Sequence, residues 1–223
     1  MLSSPIAGIH DLCPLKDIEE ASELLRKGMR ELGLLSEDGQ IASFMTYLSE
    51  LTKWNRTYNL SGIKTSRDIV IKHFLDSLLF KKVLPPEVRT IADVGSGAGF
   101  PGIPLKIVEP GLRLYLIEPR YKKAMFLSHI CALLGLEGVE ILNRRVEDVA
   151  GLKVNAAVTR ALFSASDFMK KAGGILAEGG ILVLSKGPKV DEELKGTAPD
   201  RIFLTDIPLP LAGITRRLVV VRP

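Results

Sequence analysis

Four glycines follow a short apolar run in Thr90-Ile91-Ala92-Asp93-Val94-Gly95-Ser96-Gly97-Ala98-Gly99-Phe100-Pro101-Gly102. Glycine lets a backbone turn sharply and lets a ligand approach it closely. A second apolar run, Leu114-Tyr115-Leu116-Ile117, ends in Glu118, and an acid at the tip of the next strand can accept hydrogen bonds from a ribose diol. Gly95, Ser96, Gly97 and Glu118 therefore read as parts of a nucleoside-cofactor site. The spacing narrows the choice of cofactor. A dinucleotide fingerprint needs Gly-x-Gly-x-x-Gly, and counting from Gly95 puts Phe100 where the third glycine should stand. The Gly-Lys-Ser/Thr of a Walker A loop is absent as well.

Other chemistries find few residues to carry them. The two cysteines, Cys13 and Cys131, make a disulfide framework unexpected and suit a reducing cytoplasm. With three histidines (His10, His73, His129) and no Cys-x-x-Cys, no metal site is expected. No run of about 18 apolar residues could span a membrane, and Met1–Asp11 does not read as a secretory signal. An apolar fraction of 46% and a charged fraction of 25% over 223 residues fit one sizeable folded unit. The net charge of +4 permits an acidic partner without arguing for one.

The elements that must position the glycine loop follow from periodicity. Ile18, Ala21, Leu25, Met29 and Leu32 recur at helical spacing, with Gly33 as a stop. A second helix after Ser36 gathers Ile41, Phe44, Met45, Leu48 and Leu51 on one face, with Trp54 and Tyr58 expected in the core. A third runs from Thr65 or Ser66 to about Lys82. His73 and Asp76 share a face of it, where structural hydrogen bonding is expected. Beyond Pro85-Pro86 the pattern changes. Strands are expected near 90–94, 113–118, 139–143, 155–159, 180–185, 201–207 and 216–222, with helices near 102–108, 120–135 and 164–177. That alternation predicts an α/β fold with a mostly parallel seven-stranded sheet and an antiparallel last strand. Residues 1–85 form an N-terminal helical extension packed on a core of residues 86–223. The segment Lys186–Pro199, rich in Gly, Pro and Lys, reads as a loop.

The pattern Asp-Val-Gly-x-Gly-x-Gly is similar to the first motif of S-adenosylmethionine-dependent methyltransferases of the Rossmann-like class I fold. The resemblance then becomes closer. Trp54-Asn55-x-x-Tyr58-Asn59-Leu60-Ser61, His73-Phe74-Leu75-Asp76-Ser77-Leu78, the run from Asp93 to Leu105, Arg145-Val146-Glu147, Thr159-Arg160-Ala161 and Lys186-Gly187 follow in order. The chain resembles the bacterial 16S rRNA (guanine-N7) methyltransferase family, also called glucose-inhibited division protein B. The resemblance implies S-adenosyl-L-methionine as cofactor, with contacts at Gly95, Phe100, Val146, Glu147 and Arg160, and 16S rRNA or the small ribosomal subunit as partner. Two departures stand out. Ser61 replaces a more usual threonine, and Glu118-Pro119-Arg120 replaces a more usual Asp-Ser-Leu.

Guanine N7 has a free lone pair and no proton, so its methylation needs no general base, and positioning supplies much of the acceleration. The residues agree. Neither cysteine lies in a strand-end loop, as cytosine C5 chemistry would require. Thr159-Arg160-Ala161-Leu162 stands where exocyclic adenine methylation uses an Asn/Asp-Pro-Pro-Tyr/Phe loop. Arg160 is the positioning candidate. Lys122, Lys123, Arg144, Arg145, Lys186 and Lys189 follow strand ends, on the edge where open α/β sheets bind ligands, and are candidates for RNA phosphate contact. Lys170, Lys171, Arg216 and Arg217 are expected to be solvated surface charges. Phe100 could stack a guanine or pack on the cofactor. Three other readings compete: a small-molecule methyltransferase with a closed apolar pocket, a non-catalytic RNA- or ribosome-binding protein, and, more weakly, a dehydrogenase. A monomer is expected.

Overall fold

The computed structural model describes residues 15–63, 65–160, 163–186 and 201–222. Cys13, His10, Gly187, Lys189, Ala161, Leu162 and the expected loop beyond Lys186 lie outside them.

The first third is helical. Helix α1 (Leu15–Glu31) and helix α2 (Asp38–Tyr58) each bury one apolar stripe. Glu37 and Gln40 cap α2 reciprocally, satisfying two amides that have no partner in the helix. Helix α3 (Ser66–Ile69) passes into a π turn (Val70–Leu75), then α4 (Asp76–Leu78) and a 3-10 turn (Leu79–Lys82). The third helix is thus continuous but not α throughout. Its π turn carries His73 and leads into Asp76, and such turns recur at functional sites.

Seven strands follow: β1 (Thr90–Val94), β2 (Arg113–Ile117), β3 (Val139–Leu142), β4 (Val154–Arg160), β5 (Leu176–Lys186), β6 (Ile202–Leu209) and β7 (Ile214–Val221). They form one sheet in the order β3-β2-β1-β4-β5-β7-β6. The first five run parallel, and β7 is antiparallel to both β5 and β6. Helices α5 (Gly102–Val108), α6 (Tyr121–Leu133) and α7 (Ala165–Ala172) are the crossovers. The expected helix at 164–177 ends earlier, because Gly173-Gly174 holds a helix poorly, and β5 starts earlier, with Gly179 at φ +70°.

Two apolar layers sandwich the sheet, as burial of both faces of a parallel sheet requires. On one side Phe44, Tyr47, Phe74 and Phe80 of the helical extension share a single cluster with Ile91, Phe100, Leu114, Phe126 and Ile181. On the other, Phe168 and Ala165 of α7 cover Ala92, Val94, Ala157 and Leu182. Chain order reverses between β1 and β4. The crevice outside the carboxyl ends of those strands is where such sheets take ligands.

Candidate active site

The end of β1 and the end of β2 are tied together by backbone. Gly95 and Ser96 both donate to the Ile117 carbonyl, at 2.8 and 3.2 Å. The Gly97 amide donates to Glu118 Oε2 and the Arg120 amide to Glu118 Oε1, each at 2.8 Å. Asn143 donates to the Glu118 carbonyl at 2.9 Å. Glu118 is therefore buried and folded back on the glycine loop. Each carboxylate oxygen still has a lone pair to offer.

Two glycines of the loop have different tasks. Gly97, at φ +61°, would place a Cβ in ordinary contact with the Lys123 ammonium at 3.7 Å and the Gly95 carbonyl at 3.9 Å, so its glycine is required by the turn and not by crowding. Gly99, at φ +101°, would put a Cβ 2.6 Å from the Tyr47 hydroxyl and 2.5 Å from Ile103. It is there so that α2 can close on the loop. Tyr47 accordingly donates to the Ala98 carbonyl. Beneath the loop, Asp93 Oδ2 accepts from the Gly102 amide at 2.8 Å. Asp93 Oδ1 is buried with no partner among the described residues. Burial raises the Asp93 carboxyl to about 7, against the pull of the Gly102 amide and of Arg160.

Beside the loop lies a cavity of about 270 Å³. Val94 and Gly95 wall it at the end of β1, Ile117 and Pro119 at β2, Arg145, Val146 and Glu147 after β3, and Phe163 and Lys171 beside α7. Ligand sites commonly span about 300–1,000 Å³, so this cavity suits one end of a ligand, such as a nucleobase. Lys171 pairs with Glu147 at its mouth, and that hydrogen bond holds the Glu147 carboxyl below its ordinary value. Lys171 of α7, still over a third exposed, is therefore a paired charge in the cavity wall and not the free surface charge its spacing suggested.

On the other side of the crevice Arg160 ends β4. Its Nη1 donates to the Lys72 carbonyl at 2.8 Å and to Asp76 Oδ2 at 3.2 Å, and its Nη2 contacts His73 Nδ1 at 2.6 Å. Arginine only donates, so Nδ1 is the acceptor and the imidazole proton sits on Nε2, donating to Ser61 Oγ at 2.6 Å. Burial, with Arg160 alongside, depresses His73 to about 3; it is neutral. Arg216 of β7 donates to Asp76 Oδ1 at 2.7 Å. The Asp76 side chain, 3% exposed, lies between two guanidinium groups. Arg216 is thus a member of this cluster, where the sequence pattern suggested a surface charge. Period-2 alternation on β7 was the available signal, since Arg217 points to the other side and pairs with Asp206.

Phe100 joins the two sides. Its ring stacks on His73 (centroids 4.4 Å, 11°) and on Tyr47 (5.4 Å, 19°), with the Arg160 guanidinium 5.2 Å from its centroid. At 5% exposure the ring cannot stack a guanine; only its backbone lines the loop. Tyr47, which no motif marked, is the residue that covers it.

The cations sit at strand ends. Lys122 and Lys123 open α6, Arg144 and Arg145 follow β3 and are exposed, and Lys186 ends β5 half-buried. Tyr58, expected in the core, is 44% exposed, with the Lys122 ammonium 5.5 Å from its ring. Cys131 is buried in α6, and burial pushes its thiol up to about 12. Among the described residues no group of His, Cys, Asp and Glu could hold a metal ion, and no helix is long and apolar enough to cross a membrane.

Residues 40–216 match the family model described as rRNA small subunit methyltransferase G. The chain belongs to this family. The ribosomal RNA small subunit methyltransferase G of Pelotomaculum thermopropionicum is 38% identical over 218 residues, covering 90% of each chain. That of Geotalea uraniireducens is 39% identical over 214 residues, covering 91% of this chain and 96% of the relative. Two solved structures show the same fold. They are M. jannaschii TYW2 in complex with AdoMet (TM-score 0.51, 18% identity, 67% of this chain and 74% of that one) and a SAM-dependent methyltransferase from Aquifex aeolicus (TM-score 0.51, 19%, 69% and 92%). The stretch matched to the small subunit methyltransferase G family runs from α2 to Arg216, so both sides of the crevice lie within it.

Proposed function

We propose that this protein methylates N7 of a guanine in small-subunit ribosomal RNA, with S-adenosyl-L-methionine as methyl donor. The observation that carries this reading is the arrangement of one sheet edge. A cavity fit for a nucleobase opens beside the glycine loop, and cations rim the same edge.

The residues present fit the cofactor. Val146, Ile117 and Pro119 would flank its base, Glu118 would accept from its ribose through its remaining lone pairs, and Gly95–Gly97 would lie along its amino-acid end. When bound there it supplies an electrophilic methyl group on a sulfonium. Every other task falls to the chain. The cluster around Arg160 holds a fixed positive group beside the crevice, and its histidine has no free lone pair with which to take a proton. His73 has its lone-pair nitrogen committed to Arg160 and its N–H to Ser61. A site whose one buried histidine is locked neutral suits a nucleophile with no proton to lose, and guanine N7 is one. Arg160 is a positioning residue in this reading, since it fixes Phe100 and His73 against each other.

Lys122, Lys123, Arg144 and Arg145 would meet phosphates, giving a salt dependence of roughly −0.7 to −0.9 in log–log slope per contact. The reading takes the protein as a monomer, with Asp76 held by Arg160 and Arg216 and Glu118 by the Gly97 and Arg120 amides, and a ribosomal substrate puts it in the cytoplasm. The test is transfer of labelled methyl from the cofactor to naked 16S rRNA, 30S subunits and 70S ribosomes, with the modified base mapped by mass spectrometry. Transfer to one guanine N7 is expected; none to any guanine N7 would overturn the reading.

A further inference from the structure

The exposed face where the C-terminal end of α2 meets the start of α6 has an unusual composition. Tyr58 and Tyr121 are 44% and 68% exposed, and Met125, one turn beyond Tyr121, is 47% exposed. Tyr121 adjoins Lys122, whose ammonium lies over the Tyr58 ring, so the three exposed side chains fall around one helix junction, and it is such grouping, not single exposed rings, that marks an interaction surface. Tyr58 is held from behind. The Trp54 ring lies 5.4 Å from it, and Trp54 in turn packs against Phe126 at 5.4 Å and His129 at 5.2 Å. The tyrosine is a platform on a packed aromatic base, not a loose side chain.

Charge is distributed to match. The acid of this seam, Glu50, is engaged by His129 at 2.7 Å and by Lys53 at 3.7 Å. The first turn of α6 has no acid at all, although acids are favoured there. It carries Lys122 and Lys123 after Arg120. Lys122 lies over the Tyr58 ring at 5.5 Å. The Lys123 ammonium lies 3.7 Å from where a Cβ on Gly97 would sit. The face is therefore continuous with the glycine loop.

We propose that this α2–α6 face docks single-stranded RNA next to the methylated guanine, with Tyr58 and Tyr121 stacking unpaired bases and Lys122 and Lys123 holding the phosphates between them. Aromatic platforms interleaved with cations are the means by which single strands are gripped whatever their sequence. A duplex hides its base faces and would use the lysines alone. The inference rests on the rRNA-methyltransferase reading and adds the side from which the strand enters.

The test uses the full chain and three variants: Y58A/Y121A, Y58F/Y121F and K122A/K123A. Binding of an unstructured RNA oligonucleotide, of the same sequence as a duplex and of anionic phospholipid vesicles is measured beside KM and kcat on the methylated rRNA substrate. Calorimetry with S-adenosylmethionine confirms that each variant is folded. Stacking lost to alanine weakens binding by about 5- to 150-fold per base, so Y58A/Y121A should raise the dissociation constant for the single strand and the RNA KM at least tenfold. Its affinity for the duplex and for the cofactor should be unchanged. Y58F/Y121F should restore both RNA values. K122A/K123A should flatten the salt dependence by about 0.7 per lost phosphate contact. Unchanged single-strand affinity in Y58A/Y121A, while the unaltered chain binds and methylates RNA, would overturn the proposal. So would loss of vesicle binding with RNA binding intact. Failure of the unaltered chain to bind or methylate any RNA would instead remove the function on which this proposal rests.

Discussion

The two sides of the crevice are built in opposite ways. On the Gly95–Glu118 side, backbone amides hold the Glu118 carboxylate, and its partners are 21 and 2 residues away in sequence. On the Arg160 side, side chains hold one another across 84, 87 and 140 residues. A backbone-built site is sensitive to conformation and little affected by the identity of its neighbours. A side-chain-built site is the reverse. Under the proposed function the first side would grip a ligand of fixed shape, while the second keeps a charge and an aromatic stack in register.

The sharpest way to break the contrast is Asp76→Ala. It would leave two guanidinium groups facing each other around a buried gap, and removing one member of a buried pair costs about 3–5 kcal/mol. Urea unfolding should show that loss, while cofactor affinity at low temperature, read by calorimetry, should stay within a few-fold. Loss of cofactor binding in the folded variant would mean that the two sides are one unit. Gly99→Ala probes the other side. A side chain at φ +101° against the Tyr47 hydroxyl should cost about 1–3 kcal/mol in strain and should abolish detectable cofactor binding.

A smaller effect, one of slope, sets the sides against each other in pH. His73 is depressed to about 3, so below about 6.5 the unfolded chain takes up a proton that the folded chain refuses, and stability falls with falling pH. Asp93 is raised to about 7, so from about 4 to 7 the folded chain keeps a proton that the unfolded chain has lost, and stability falls with rising pH. Each contributes a slope of up to about 1.4 kcal/mol per pH unit, and between about 4 and 6.5 these two slopes oppose. His73→Gln should tilt stability downward with rising pH and Asp93→Asn upward. Equal slopes in the two variants, measured by denaturant midpoints at pH 4.5 and 6.5, would defeat the assignment. The smallest change should come from Lys171→Ala. Its pair with Glu147 is over a third exposed on both sides, so stability should move by less than about 1 kcal/mol, with a few-fold change in cofactor affinity as the cavity mouth opens.

The same contrast explains what could be read ahead of the structure. The glycine loop, Glu118 and the strand–helix alternation were legible because each depends on neighbours in sequence. The expected bounds of β1 and α5 coincide with those observed. Arg216 and Lys171 have the spacing of surface charges because their partners, Asp76 and Glu147, are brought to them only by the assembled fold. Phe100 looked like a ring free to meet a ligand. It is covered by His73 and Tyr47 from the helical extension, which no spacing around residue 100 reveals. Tyr58 continued the apolar face of α2, but α6 covers that face only as far as Trp54. The π turn under His73 has no proline or glycine to mark it.

Asp76 waits for both of its guanidinium partners. The ribosome delivers it long before Arg160, and Arg160 well before Arg216 on the strand inserted between β5 and β6. Until β7 is in place the acid is bridged on one side only, so a growing chain can display its glycine loop while its second wall is still open. Chain order thus places the glycine loop and Glu118 ahead of Arg160, and the second wall is completed only by β7, the last strand in the chain order of the described residues.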